Sequence, residues 1–131
     1  MGEKRQLRAA DGFALGAYEA LPSGEPRGGV VVIQEIFGVN SHIREVCEGY
    51  AQDGFAVVAP QIFDRVERDL ELGYEQSDIG RGAKVAFQDL RREETLLDLQ
   101  VAIDNVGMYG KVGVVGYCFG GLLTWLSACE L

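Results

Sequence analysis

The stretch that decides the fold is GVVGYCFGG, residues 113–121. It places Cys118 between Gly116 and Gly120, directly after an apolar run and directly before a predicted helix. The G-x-nucleophile-x-G pattern in this strand–turn–helix setting is typical of a nucleophile elbow. Glycines let strand and helix approach around a strained turn that lifts the central side chain above the sheet, and the helix N-terminus favours thiolate over thiol. Cys118 is therefore the candidate nucleophile.

Two other interpretations of the same stretch are weaker. Cys118 could be a small packed residue in a glycine-rich turn, which is common for free cysteines. The turn could bind phosphate, but the G-x-G-x-x-G spacing and the P-loop lysine are absent. Cys47 and Cys129 fall within helical patterns, and we assign both to packing. An odd number of cysteines without metal-like spacing predicts reduced thiols and no metal site.

Outward from residues 113–121, apolar runs, turn signals and helical periodicity predict the order β-β-β-α-β-α-β-α. Alternating strands and helices predict an α/β fold with a mostly parallel sheet covered by helices on both faces. No interior linker divides the chain, so residues 1–131 form a single domain. Residues 61–83 mix charges and glycines, and we expect an excursion over the mouth of the fold. The predicted strands are 6–9, 13–21, 30–33, 55–59 and 111–117, and the predicted helices begin at Asn40 or Ser41, near Glu93, and at Leu122.

A second polar feature follows the run Val30–Ile33, in the stretch QEIFGVN, residues 34–40. Burying the Glu35 carboxylate there is costly without a partner. It could accept a hydrogen bond from nearby backbone or face a site, and its position alone does not decide. The loop after this strand is also where α/β-hydrolases take the second N–H of the oxyanion hole. Ile36 is the candidate for that donor and Phe119 for the first.

Residues 34–40 and 113–121 resemble the two signature stretches of the dienelactone hydrolase (carboxymethylenebutenolidase) family, and APQIF, residues 59–63, is similar to a further strand end of that family. The resemblance implies an α/β-hydrolase fold that opens enol-lactones without a cofactor. It implies that Cys118 attacks the lactone carbonyl to give an acyl-enzyme, and that Glu35 meets the resting thiol and helps to produce the thiolate. Family substrates carry a carboxylate held by arginines, and Arg81 is a candidate for this role.

The catalytic triad of α/β-hydrolases runs nucleophile, acid, histidine along the chain. The sequence ends at Leu131, inside the helix after the elbow, so we expect a partial domain without the downstream acid and histidine. The single histidine, His42, precedes Cys118, and Asp64, Asp78 and Asp104 also precede it. We expect a hydrolase by family that is inactive or severely impaired alone. A non-catalytic self-associating module and one half of a split enzyme are the alternatives.

The net charge and the distribution of apolar residues argue against two kinds of partner, nucleic acids and membranes. A net charge of −8 argues against nucleic acid, whose backbone requires a basic patch. No apolar run has the length of a membrane span, and the first residues lack the apolar stretch of a signal peptide, so we expect a cytoplasmic protein.

The sequence also predicts self-association. Strand 111–117 would be left at the sheet edge with an unpaired apolar backbone. Helix 122–131 would expose apolar surface at Leu122, Leu123, Trp125 and Leu126. We therefore expect a homodimer formed through 111–117 and 122–131.

Overall fold

The fold was analysed in a computed structural model that describes residues 2–131. Within this range the chain forms five strands and four α-helices around one sheet. The strands are β1 (Glu3–Arg8), β2 (Ala14–Ala20), β3 (Gly29–Ile33), β4 (Ala56–Pro60) and β5 (Val112–Gly116). The helices are α1 (Ser41–Gln52), α2 (Gln76–Lys84), α3 (Arg92–Gly107) and α4 (Phe119–Glu130). A 3₁₀ turn at Ile62–Arg65 and a π-helical turn at Val85–Asp89 complete the chain.

The sheet has the order β1-β2-β4-β3-β5. Strands β4, β3 and β5 are parallel, and the β1–β2 hairpin adds to β4 in the antiparallel direction. Every residue of β3 and β4 is buried, as the continuous β-branched runs predict for central parallel strands. The carboxyl ends of β3, β4 and β5 therefore lie at the same edge, where open parallel sheets bind ligands.

Helices cover the sheet on both sides, which confirms the predicted α/β architecture. Helix α1 packs against one face, where Ile43, Cys47 and Ala51 meet β3 and β4. On the other face, the core contains α3 and α4 residues such as Leu99 and Leu123. Asn40 is the N-cap of α1, because its side chain accepts a hydrogen bond from the Ile43 N–H at 3.1 Å.

The excursion over residues 61–83 contains a helix that the sequence pattern did not predict. Glycines at positions 80 and 82 lower the helix propensity of α2 and hid its periodicity. The structure explains Gly82, since a Cβ there would lie 2.1 Å from the Ile36 carbonyl oxygen. Packing of α2 against the loop after β3 thus overrides its weak propensity, and the element order gains one helix.

Two boundaries near the elbow also differ from the prediction. Strand β5 is shorter than 111–117, and α4 begins at Phe119, directly after Cys118, rather than at Leu122. The first turn of α4, which the sequence pattern did not predict, is rich in glycine, so the apolar periodicity of the helix begins only at Leu122. Leu122 and Trp125 are exposed as predicted, whereas Leu123 is buried in the core because it faces the sheet.

Candidate active site

Cys118 lies at the turn between β5 and α4, with its side chain exposed. Its backbone has φ 57° and ψ −118°, a left-handed conformation that residues other than glycine adopt rarely and at a cost. Backbone strain of this kind persists only where the surroundings over-determine it. The predicted strand–turn–helix setting is therefore present, with the thiol at the carboxyl edge of the sheet.

Two glycines allow the strained turn to form. A Cβ at Gly116 would lie 2.1 Å from the Gly120 carbonyl oxygen, and a Cβ at Gly120 would lie 2.5 Å from the Ile33 carbonyl oxygen. Both distances are far below van der Waals contact, so any larger residue would push α4 away from the ends of β3 and β5. Gly121 differs, because a Cβ there would be 3.6 Å from the Gly116 carbonyl oxygen, an ordinary contact.

Two backbone N–H groups border this edge without a backbone acceptor. In the part of the chain that the structure describes, neither the Ile36 N–H nor the Phe119 N–H donates to a carbonyl. Phe119 is the first residue of α4, where N–H groups have no intrahelical partner. Ile36 lies in the tight turn between Glu35 and Gly38, which are bridged and where Gly38 has φ 83°. Neither predicted oxyanion donor is committed to a backbone carbonyl among residues 2–131, and their role toward an anion stays a prediction.

Aromatic packing holds Phe119 in place. Its ring lies 6.1 Å from the ring of Phe63, just after β4, and 5.6 Å from the ring of Phe87 in an edge-to-face arrangement. The excursion between β4 and α3 therefore contacts the elbow directly. A donor on a rigidly packed residue loses little entropy when it binds an anion.

Glu35 is half-buried at the carboxyl end of β3. Burial, the Tyr50 hydroxyl and then the Glu35 charge raise the pKa of Tyr117, the residue before Cys118. The carboxylate thus lies close enough to the Tyr117 phenol to affect its pKa. Among residues 2–131, no lysine, arginine or histidine forms an ion pair with it. Its role toward the thiol stays a prediction.

Arg81 is an exposed residue of α2 and forms an ion pair with Glu67. It immediately precedes Gly82, which packs against the Ile36 carbonyl, so α2 places it beside the loop of the candidate site. A pair between exposed side chains contributes little to stability and exchanges readily. The role of Arg81 toward a substrate carboxylate stays a prediction.

The three aspartates weighed as possible catalytic acids form hydrogen bonds away from Cys118. Asp64 is buried and accepts hydrogen bonds from the Gly16 and Asp69 N–H groups at 2.7 and 2.8 Å. Asp78 accepts from the Glu75 N–H at the start of α2, and Asp104 accepts from the Gln100 amide on α3. His42 is exposed in the first turn of α1.

Comparison with known proteins decides the family. A family model of the dienelactone hydrolase family matches residues 15–131. The chain belongs to the dienelactone hydrolase family. It is 43% identical over 105 residues to a Synechocystis protein named "Putative carboxymethylenebutenolidase", covering 76% of this chain and 42% of that protein. It is 33% identical over 128 residues to "Carboxymethylenebutenolidase" of Pseudomonas putida, covering 95% of this chain and 54% of the relative.

Solved structures agree with this assignment. The crystal structure of "Putative Dienelactone Hydrolase from Klebsiella pneumoniae subsp. pneumoniae MGH 78578" aligns over 100% of this chain and 56% of its own length, with a TM-score of 0.81 and 29% identity. The match confirms the α/β-hydrolase fold predicted from the two signature stretches. The chain spans about half the length of the curated relatives it matches.

In this dienelactone hydrolase domain, no described helix is both long and apolar enough to cross a membrane. Nor do residues 2–131 contain a group of three or more His, Cys, Asp or Glu side chains arranged to hold a metal ion.

Two residues near the site were not singled out from the sequence. Gly82 fixes α2 against the Ile36 carbonyl, and Gln34 has a fully buried amide that bonds the Glu35 carbonyl oxygen and the Ile62 N–H. The role of Gln34 could have been predicted from the sequence. It is a polar residue that directly follows the apolar run Val30–Ile33 and begins the family's first signature stretch. A buried amide must be hydrogen-bonded, so its position indicated a structural or positioning role.

The three thiols should differ in reactivity. Burial, and secondarily the Glu48 charge, raises the pKa of Cys47 to about 12, so this thiol stays protonated and inaccessible. Cys118 and Cys129 are both exposed, but only Cys118 lies at a helix N-terminus, which stabilises a thiolate.

We expect iodoacetamide to modify Cys118 first, as measured by mass-mapped labelling of the native protein. The matched variant Cys129→Ser should keep the fast phase and Cys118→Ser should lose it; faster labelling of Cys129 would contradict the elbow assignment.

Proposed function

We propose that this chain carries the nucleophile and oxyanion hole of an ester or lactone hydrolase, with Cys118 as the nucleophile. The observation that carries the proposal is the strained, exposed position of Cys118 between β5 and α4, at the edge of the sheet where, among residues 2–131, the Ile36 and Phe119 N–H groups have no backbone acceptor. Strain at a strand–helix turn has a functional explanation when it presents a reactive group to an open edge. Membership in the dienelactone hydrolase family supports the same reaction class.

In the proposed reaction, the Cys118 thiolate attacks the carbonyl carbon of the ester and forms a C–S bond. The electron pair of the C=O bond moves to the oxygen, which receives hydrogen bonds from the Ile36 and Phe119 N–H groups. Collapse of this intermediate restores the carbonyl and breaks the C–O bond to the leaving alkoxide or enolate. With a lactone, the leaving oxygen stays attached as part of the acyl group. Water then cleaves the thioester and returns the thiol.

We propose that Glu35 assists the first step. A half-buried carboxylate without a cationic partner can accept the thiol proton when the substrate excludes water from the edge. Its electrostatic effect on Tyr117 supports a location close to the elbow. The substrate class that we propose is a small lactone or ester that itself carries a carboxylate, with Arg81 as its partner.

The second step requires a base that activates water, and we propose that residues 1–131 do not supply it. The one histidine, His42, is exposed in α1, and the three aspartates named above are held in structural hydrogen bonds. A second polypeptide that carries an acid and a histidine would complete the site in the split-enzyme alternative. A non-catalytic binding module would show neither step.

The 131-residue chain should therefore acylate once and then stop. With p-nitrophenyl acetate, we expect a burst of about one nitrophenolate per chain with negligible steady-state release, measured by stopped-flow absorbance, because deacylation lacks its base. Mass spectrometry should find the acetyl group on Cys118. Cys118→Ala should abolish the burst, whereas Cys129→Ala should retain it. Sustained turnover in the wild-type chain that is lost in Cys118→Ala would contradict the proposal that the chain lacks a base for deacylation. His42→Ala would then test whether the single histidine acts as that base.

Arg81→Ala should discriminate between substrates. The variant should slow acylation by an ester that bears a carboxylate by about ten-fold, since a charged hydrogen bond contributes about 1.5–3 kcal/mol, and leave a neutral ester of the same shape unaffected. Lys84→Ala is the matched control, because Lys84 lies one turn further along α2 and pairs with Asp89 at 2.9 Å. Equal effects of Arg81→Ala on both esters would refute the proposed role of Arg81.

We further propose that the 131-residue chain forms a homodimer through β5 and α4. Within residues 2–131, strand β5 pairs with β3 on one side only, and its residues Val112–Gly116 include neither proline nor a charged side chain. On α4, Leu122 is 48% exposed and Trp125 is 69% exposed. A two-fold axis would pair the two β5 edges and bury both helices, and we propose a second copy as the occupant of this surface.

Light scattering tests the dimer. We expect a dimer at micromolar concentration and a monomer for Trp125→Glu, because a charge at that contact would be buried without a partner. Ile79→Glu places the same charge on an apolar residue of α2 that is 46% exposed, and it should leave the dimer intact. A stable wild-type monomer would refute the proposal, and a dimer insensitive to Trp125→Glu would refute its interface.

A further inference from the structure

Gln34 is a fully buried side chain at the end of β3. Its Nε2 donates to the Glu35 carbonyl oxygen at 3.0 Å, and its Oε1 accepts from the Ile62 N–H at 3.1 Å. The two partners fix the orientation of the amide, since a carbonyl can only accept and an N–H can only donate. The side chain therefore links the loop after β3 to the first residue after Gln61 at the end of β4.

The Glu35 carbonyl and the Ile36 N–H belong to one peptide group. In a planar trans peptide these two bonds point in opposite directions. A hydrogen bond that holds the carbonyl oxygen toward Gln34 therefore directs the N–H away from Gln34. This N–H is the one that lacks a backbone acceptor in the described chain and that the proposed function uses for the oxyanion.

Two close contacts keep the neighbouring backbone in place. Gly82 of α2 packs against the Ile36 carbonyl oxygen, at the distance that leaves no room for a Cβ. Gly120 packs against the Gln34 carbonyl oxygen, where a Cβ would lie 2.7 Å away, and it directly follows the second donor, Phe119. The backbone on either side of the Glu35–Ile36 peptide is thus fixed by packing and by the bridge between Glu35 and Gly38, and the Gln34 side chain adds the one side-chain hydrogen bond to the Glu35 carbonyl oxygen among residues 2–131.

We propose that Gln34 is a positioning residue that aims the Ile36 N–H at the oxyanion through its hydrogen bond to the Glu35 carbonyl. This role rests on the proposed function, because it matters only if an oxyanion forms beside Cys118. Gln34 touches neither the substrate nor the thiol in this role. It acts when the carbonyl oxygen of the substrate becomes charged, since a rotated peptide would leave that charge with one donor instead of two.

The test compares two reactions of the same thiol in the 131-residue chain. Acylation by p-nitrophenyl acetate passes through an oxyanion, whereas alkylation by iodoacetamide displaces iodide from a saturated carbon and does not. In Gln34→Met, which keeps the length of the side chain but not its hydrogen bonds, acylation should fall about ten- to a hundred-fold while alkylation is unchanged. Gln61→Met is the matched control, because Gln61 is also a buried amide at a strand end but bonds Asp64 and Asp69. Its ratio of acylation to alkylation should equal that of the wild type.

Gln34→Glu adds a readout that a merely structural role would not move, and it decides the question if Gln34→Met fails to fold. A protonated glutamic acid has one donor and one acceptor, so it can replace the amide, whereas the ionised form cannot donate to the Glu35 carbonyl. Burial raises the pKa of a carboxyl group. The acylation-to-alkylation ratio of Gln34→Glu, relative to the wild type, should therefore fall as the pH rises from about 5 to about 9.

The outcomes separate this proposal from the one on which it rests. Failure of the wild-type chain to acylate overturns the proposed function and the role of Gln34 together. Normal wild-type acylation with an unchanged ratio in Gln34→Met, or a ratio in Gln34→Glu that does not vary with pH, overturns the role of Gln34 alone. Parallel loss of acylation and alkylation would make Gln34 structural, which also overturns it.

Discussion

The close approach of α4 to the end of β3 is the constraint on which the rest of the site depends. Gly120 lies against the Ile33 and Gln34 carbonyl oxygens, so near that no side chain fits between them. This contact fixes where α4 begins, and the start of α4 fixes both the Phe119 N–H and the strained backbone of Cys118. Because the same contact is made with β3, it also sets the separation between Phe119 and the loop that contains Ile36. One steric fit therefore positions groups that are more than eighty residues apart in the sequence.

The sequence was most informative where local chemistry determines the structure. The continuous β-branched run Val30–Ile33 predicted a buried strand. The glycines around Cys118 predicted a tight turn between a strand and a helix. Ile36 and Phe119 were singled out by their positions relative to these two elements and Glu35 by the family resemblance, and the roles of all three stay predictions. The pattern located the carboxyl ends of the three parallel strands within one residue, whereas the start of α4 was predicted three residues late.

Other features depended on tertiary contacts that a single sequence does not contain. Helix α2 has two glycines and weak propensity, and it forms because it packs on the loop after β3. Leu122 and Leu123 have the same hydrophobicity, and only the direction of α4 relative to the sheet decides that one is 48% exposed and the other 5% exposed. The hydrogen bonds of Gln34 could not be predicted, because the sequence alone does not show that the Ile62 N–H and the Glu35 carbonyl lie on either side of its amide.

The ends of parallel strands explain why a polar side chain lies in the core at this point. When β3 and β4 stop at the sheet edge, their last backbone groups lose the ladder partners that the strands supply, and buried groups of this kind must be paired or face water. Gln34 satisfies two of them, the Ile62 N–H and the Glu35 carbonyl, while Asn40 satisfies the Ile43 N–H at the start of α1. Among the residues that the structure describes, the Ile36 and Phe119 N–H groups have no backbone partner, and Gln34 bonds neither of them. The proposed function needs two donors of this kind, oriented and unpaired before an oxyanion forms, so under that proposal the same strand ends that require Gln34 in the core also supply the donors.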